Sequence, residues 1–259
     1  MTVDLRLPDA IERADAERER IERKVAAFEA FADRVADISP SGGQRAGSPG
    51  GTTNLPAGGS ALATGTTGGT GTEAAREAFR ETVLPYAETD SMQEALADEL
   101  SPDLAAAFSP AVGGFAAGLR DRLVSRAETR AEECQLLTDG IAAERDRLRE
   151  FADELDAVTD WLAAADETPL LQLSFEELRA RHDRLAECRE TCDELAERRQ
   201  AGLRETKRDG LVGVRERELR DHLYAEFETD NPVLADLAEL DATLADCQRS
   251  VRRHLCARV

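Results

Sequence analysis

From Leu123 to Ala165 the chain repeats an alternation of threes and fours without a break, and that repeat limits what the segment can fold into. The positions are Leu123, Ala127, Arg130, Cys134, Leu137, Ile141, Glu144, Leu148, Phe151, Leu155, Val158, Leu162 and Ala165. A helix keeps all of them on one side, as a narrow heptad seam. At 1.5 Å per residue the helix is a rod about 60 Å long. Arg130 and Glu144 place charge on the seam, and such positions fix register at a cost in stability. Pro169 marks a turn, with Thr168 as the expected N-cap of a helix returning from Leu170 to about Lys207. Leu171, Phe175, Leu178, His182, Leu185 and Cys192 are expected to face inward along it. Two long amphipathic helices with a short connection predict an antiparallel coiled-coil hairpin over about 119–208.

The remaining segments read as helices around that hairpin, so the expected fold class is all-α. Residues 1–38 form a heptad helix from about Pro8, with Ile11, Ala14, Arg18, Ile21, Val25, Phe28, Ala32 and Val35 on its seam and Ser39-Pro40 as its stop. Residues 39–72 carry one charge, Arg45, and consist mainly of Gly, Ser, Thr and Pro. Such a stretch buries too little to offset the entropy of ordering, which predicts a disordered tether with an r.m.s. span of about 30 Å. Residues 73–259 are expected as the helical domain. It opens with short helices, one capped by Ser91 with Glu94 completing a capping box and others starting at Pro102 and Pro110. Gly113-Gly114 then breaks the chain before the long helix. Gly210 and Gly213 loosen it again, a helix follows from about Arg215 to Phe227, and a last helix spans about 232–257 with Val233, Leu237, Leu240, Leu244, Cys247, Val251 and His254 on its seam. Aromatic residues are 4% of the chain, so the core is expected from Leu, Ala and Val rather than from rings.

Charge bounds the setting. There are 53 acidic against 33 basic residues, a formal net charge of −20, and Lys24 and Lys207 are the two lysines. An acidic, lysine-poor chain suits the cytosol of a salt-accumulating organism, where at about 1 M salt the Debye length is roughly 3 Å and carboxylates repel little. The N-terminus has no apolar run resembling an export signal, and the uncharged stretch has Leu55 and Leu62 as its large aliphatics, too few for a membrane span. A cytoplasmic protein without membrane contact is expected. Cys134, Cys188, Cys192, Cys247 and Cys256 are scattered and odd in number, which argues for reduced thiols.

No catalytic constellation emerges, and no enzyme activity, cofactor or metal is expected; a small-molecule substrate stays unknown. Cys188 and Cys192 share a helix face, but a zinc site needs four ligands, and Cys247 with His254 is spaced too widely to complete one. Ser91, Ser101 and Ser109 read as helix caps. The glycine-rich stretch lacks the Gly-Lys-Ser/Thr ending and the preceding strand of a phosphate loop. Arginines from Arg198 to Arg220, and again from Arg249 to Arg258, reverse the charge locally. Interleaved acids and helix-end positions explain them better than nucleic-acid contacts do.

Three blocks resemble successive parts of an uncharacterised all-helical family of haloarchaeal proteins. They are AAREAFRETVLPYAETDSMQEALADELSPDLAAAF, SFEELRARHDRLAECRETCDELAERRQ and LRDHLYAEFETDNPVLADLAELDATL. The resemblance implies an all-α fold and a halophilic setting, and no activity. The function expected from the residues is a helical scaffold that associates with a protein partner, or with itself, through its seams. Leu148, Phe151, Leu155, Val158 and Leu162 of the long helix carry that expectation, with Ile21, Val25 and Phe28 of the first. The alternative is a nucleic-acid-associated regulator using Arg198 to Arg220 and the C-terminal arginines.

Overall fold

The computed structural model describes residues 4–40, 70–108, 114–208 and 211–258. These fold into helices α1 (Leu7–Ala36), α2 (Thr70–Thr82), α3 (Met92–Glu99), α4 (Pro102–Ala107), α5 (Ala117–Asp166), α6 (Phe175–Arg208), α7 (Leu211–Leu223) and α8 (Pro232–Cys256). Single 3₁₀ turns occur at Leu84–Tyr86 and Leu170–Gln172, and no strand occurs among the described residues. The fold is all-α. It divides into two compact units, one of Met1–Glu19 with Leu137–Val259 and the other of Arg20–Leu136. Most of the predicted tether, residues 41–69, lies outside the described residues, as do Ser109, Pro110 and Gly113.

In the first unit, the part of α5 from Leu137 onward and α6 run antiparallel. Glu144 meets Arg199 far along α6, while Arg181 near the start of α6 donates to the Thr168 carbonyl just past α5, so early residues of one helix face late residues of the other. Helix α8 lies antiparallel to α6, tied by the Arg189 guanidinium to both carboxylate oxygens of Asp241 at 2.7 and 3.2 Å. One apolar cluster joins Leu148 and Leu155 of α5, Leu178, Leu185 and Leu195 of α6, Leu240 and Leu244 of α8, and Leu7 of α1. The apolar side of α5 is therefore covered by several helices and not by one partner helix. The fully buried Asp236 of α8 accepts from the backbone N–H groups of Arg6 and Leu7 at 2.8 and 2.9 Å. It accepts two N–H groups at the N-terminus of α1 and adds to the negative charge of Asp9 in that first turn.

The return helix starts later than Thr168. Ser174 Oγ accepts from the Glu177 N–H at 3.2 Å, and Glu177 Oε2 accepts from the Ser174 N–H at 2.7 Å. That reciprocal capping box satisfies two otherwise orphaned donors, which Thr168 does not do. Leu171 and Phe175 consequently sit at the tip of the bundle, 78% and 42% exposed, rather than inward. Leu137, expected on the seam, is also 43% exposed, and Thr138 is buried in its place. A straight helix at 3.6 residues per turn drifts off a strict heptad, so the inward strip steps from Cys134 to Thr138 and then to Ile141. Gly140 has a use: a Cβ there would lie 3.1 Å from Leu219 Cδ2, so the bare backbone lets α7 approach α5.

The second unit overturns the expectation of a ring-free core. Phe28, Phe31, Phe79, Phe108 and Phe115 are all fully buried in it, with Phe31 and Phe79 edge to face at 5.5 Å between centroids. Five of the chain's eight phenylalanines are gathered here. Helix α2 begins at Thr70, taking Thr70, Gly71 and Thr72 from the predicted tether. A Cβ on Gly71 would lie 2.7 Å from Phe115 Cβ, which explains why a glycine stands at that helical position. Gly114, at φ +96°, occupies the left-handed region that glycine alone adopts without strain. Ser91 and Ser101 cap α3 and α4, as expected. The Glu94 half of the expected capping box is different: its carboxylate accepts from Thr89 Oγ1 at 2.9 Å, while Thr89 Oγ1 accepts from the Ser91 N–H at 3.1 Å. The threonine hydroxyl is inserted between the two partners.

Candidate functional site

The seam residues lie within the chain's own packing. Leu148, Phe151, Leu155, Val158 and Leu162 are buried in the first unit, while Ile21 and Phe28 are buried and Val25 is half-buried in the second. Each set is packed within its own unit. A partner surface has to be sought elsewhere.

The polar seam positions each organise a cluster. Glu144 is 2% exposed; its Oε1 accepts from Arg199 Nη2 of α6 and from the hydroxyl of Tyr224, which follows α7, both at 2.7 Å. Its Oε2 accepts from Arg147 at 3.4 Å. Burial by itself would raise the carboxyl. The Arg199 charge and hydrogen bond, the Tyr224 hydroxyl and the nearby Arg220 outweigh it and hold Glu144 below the ordinary carboxyl range. Burial and the adjacent carboxylate push the Tyr224 phenol well up, so it stays a neutral donor. The cluster is a lock between three segments, with no acid or base poised for transfer.

In the second unit Glu99, at the end of α3, takes Lys24 Nζ of α1 at 2.5 Å on one oxygen and Arg130 Nη2 of α5 at 2.8 Å on the other. Arg130 also reaches Glu133 at 2.7 Å and lies over the Phe28 ring, 5.7 Å from its centroid. Burial opposes the Arg130 charge, but its bonds to Glu133 and Glu99 more than compensate and raise its pKa. Lys24, one of the two lysines, is thereby spent on an interior ion pair.

Several of the arginines proposed for phosphate contact have partners within the chain, and Arg199 and Arg220 are buried. Arg199 is buried on Glu144, and Arg198 pairs with Glu154 while lying 4.7 Å over the Phe151 ring. Arg220 is buried near Glu216. Arg258 donates to the carbonyl of Leu173 and, at 3.4 and 3.3 Å, to those of Leu170 and Leu171. Arg249 pairs with Asp246, and Arg253 donates to Ser250 Oγ at 3.0 Å. Cys188 and Cys192 carry free buried thiols that burial pushes up, Cys192 to about 11. That chemistry is opposite to a reactive thiolate. Among the described residues no three His, Cys, Asp or Glu side chains converge to hold a metal, and no helix is long and apolar enough to cross a membrane.

Two accessible features lie together at one end of the first unit. A cleft of about 560 Å³ opens between the last turns of α5, the connection to α6, and α8. Trp161, Leu162, Leu185 and Val251 form its apolar lining, with Arg181 and Asp246 among its polar residues. Beside it Leu171 and Phe175 project from the tip, Leu171 being the most exposed large apolar side chain among the described residues. Their inward placement from sequence hid this surface, although the Ser174-x-x-Glu177 signature was there to be read. Arg199 and Tyr224 were missed as partners of Glu144 because they lie 55 and 80 residues away in the chain.

No curated protein and no solved structure matches the chain. A family model does, over residues 5–248, and the chain belongs to that family, described as a domain of unknown function, DUF7260.

Proposed function

We propose that this member of a family of unknown function is a cytoplasmic helical scaffold. It recruits a protein partner through the apolar end of its first unit rather than through its buried coiled-coil seams. One observation carries the reading. Leu171 and Phe175 stand exposed beside the Trp161 cleft, while the seam side chains are spent on internal packing. Exposed apolar side chains clustered next to a concave, partly apolar surface are the composition of an interface centre. The net charge of −20 keeps the rest of the surface solvated and fits a high-salt cytoplasm.

The test compares capture from native extract at high salt by the wild-type chain and by Leu171→Ser/Phe175→Ser. Both side chains lie outside the core, so circular dichroism of the variant should match the wild type. Proteins retained by the wild type and lost by the variant support the reading. Identical retention by both refutes it.

A further inference from the structure

The cleft beside the tip has a chemistry of its own, and Leu171 and Phe175 are not part of its lining. Trp161, Leu170, Leu185 and Val251 make much of the lining apolar, and about 560 Å³ is the size of a small-molecule site. Arg181 of α6 stands in the same lining, half-buried. Its Nη1 donates to the Thr168 carbonyl at 3.1 Å, which leaves Nε and Nη2 without an acceptor among the described residues. A guanidinium carries five N–H donors in a fixed plane, so one whole edge of Arg181 is unused.

The other charges around the cleft are engaged. Glu239 accepts from Arg6 Nη1 at 2.9 Å, Asp246 pairs with Arg249, and Asp166 has an interaction of its own. Arg184, which lies over the Trp161 ring, is paired with Glu187. Asp166 and Glu177 feel the Arg181 charge, but Glu177 is bonded to Ser174 and neither is bonded to Arg181. An unused guanidinium edge beside apolar walls selects a ligand with a carboxylate at one end, able to take Nε–H and Nη2–H side by side. The walls select an apolar body for the rest of it. We propose that the cleft is a binding site for a small organic monocarboxylate with an apolar body. High salt leaves this contact largely intact, because its bonds form at contact distance in a half-buried site, where screening is weak. The site goes beyond the scaffold reading and does not rest on it, since Leu171 and Phe175 carry that reading and Arg181 carries this one.

Trp161 is the chain's one tryptophan and lines the cleft, so its emission reports occupancy directly. The probe is octanoate, titrated into the full chain at about 1 M salt up to about 5 mM, since a small ligand in an open cleft binds weakly. Octanamide, which has the same apolar body without the charge, is the control. Octanoate should give a saturable change in Trp161 emission and bind at least about tenfold more tightly than octanamide. Arg181→Gln should weaken octanoate at least about tenfold and leave octanamide unchanged. Arg181→Lys keeps the charge without the planar fork and should fall between; as the milder change it carries the comparison if the Gln variant does not fold. Thr243→Phe, which fills the cleft from α8, should abolish the response to both compounds. Circular dichroism of each variant checks the fold. A wild type with no saturable response, equal affinity for octanoate and octanamide, or Arg181 variants that bind octanoate like the wild type would each overturn the proposal. So would octanoate binding that survives Thr243→Phe. Leu171→Ser/Phe175→Ser should bind octanoate as the wild type does, so failure of the carboxylate site and failure of the scaffold reading are read separately.

Discussion

Replacing Glu144 with Gln preserves the shape of the side chain and removes its charge, so it isolates what the buried carboxylate does. The amide oxygen can still accept from Arg199 and Tyr224, and Arg147, half exposed, can turn to solvent. What is lost is the counter-charge for Arg199, whose side chain is 5% exposed. Breaking a buried pair by neutralising one member costs about 3–5 kcal/mol, and the retained hydrogen bonds place this variant near the lower figure. A Coulomb term of about 4 kcal/mol for unit charges 4 Å apart at an effective dielectric of 20 is of the same size. Urea unfolding at neutral pH, followed by the fluorescence of Trp161, reports on the first unit, since Trp161 is the chain's one tryptophan. With a slope of about 2 kcal/mol/M, the midpoint should fall by about 1.5 M. Glu144→Leu with Arg199→Leu removes both charges together and should recover much of the loss seen in Glu144→Leu alone.

The pH dependence supplies a second arm. A carboxyl held below its ordinary value of 4.5 in the folded state contributes stability in full above that value, and loses it as pH falls through the folded pKa. The wild type should therefore lose stability more steeply than Glu144→Gln below about pH 4.5, and the gap between them should narrow toward about pH 3. A neutral-pH difference below about 0.5 kcal/mol, the scale of an exposed ion pair, would refute the assignment of Glu144 as a buried lock. So would parallel pH profiles.

Further expectations follow from packing and charge. Leu155→Ala should cost about 2–5 kcal/mol in the same urea assay, because Leu155 is fully enclosed, whereas the exposed Asp153→Ala should change stability by about 0.5 kcal/mol or less; equal effects would contradict the described core. Gly71→Ala should destabilise by about 1–3 kcal/mol through its clash with Phe115, while Gly202→Ala, with open space around its Cβ on α6, should stabilise by about 0.5–1 kcal/mol; opposite signs in thermal unfolding are the check. Raising salt from about 0.05 M to about 1 M should raise the melting temperature as 53 acidic residues are screened, and a flat profile by circular dichroism would remove the high-salt argument.

Burial along α5 could be read from sequence because three-four spacing maps directly onto the side of a helix. Leu148, Leu155 and Leu162 are inside for that reason. The same spacing is silent about what covers the strip, and a seam says only that some helix must. Here α6, α8 and the start of α1 share the task, and their contacts depend on pairs such as Arg189 with Asp241 and Arg6 with Asp236 that are distant in the chain. Overall aromatic content misled for a related reason: a whole-chain average of 4% conceals five phenylalanines drawn into one unit.

The most consequential difference is the smallest in sequence. Thr168 and Ser174 are both plausible caps, and proline beside the first made it the more conspicuous. Ser174 prevails because Glu177, three residues on, can return a hydrogen bond to its N–H, so two backbone donors are satisfied by one pair of side chains. Moving the start of α6 to Phe175 leaves Leu171 in the connection and Phe175 in the first turn, beyond the last layer of the bundle. Two residues that heptad spacing would bury thereby become surface, next to a cleft the bundle does not fill. Changing Glu177 to Ala tests that link directly. The cap should lose about 0.5–2 kcal/mol and the first turn of α6 should fray, with faster amide exchange at residues 174–178 and little change along α8. Uniform protection across that turn in the variant would mean that packing, not the cap, sets where α6 begins, and the exposure of Leu171 would need another cause.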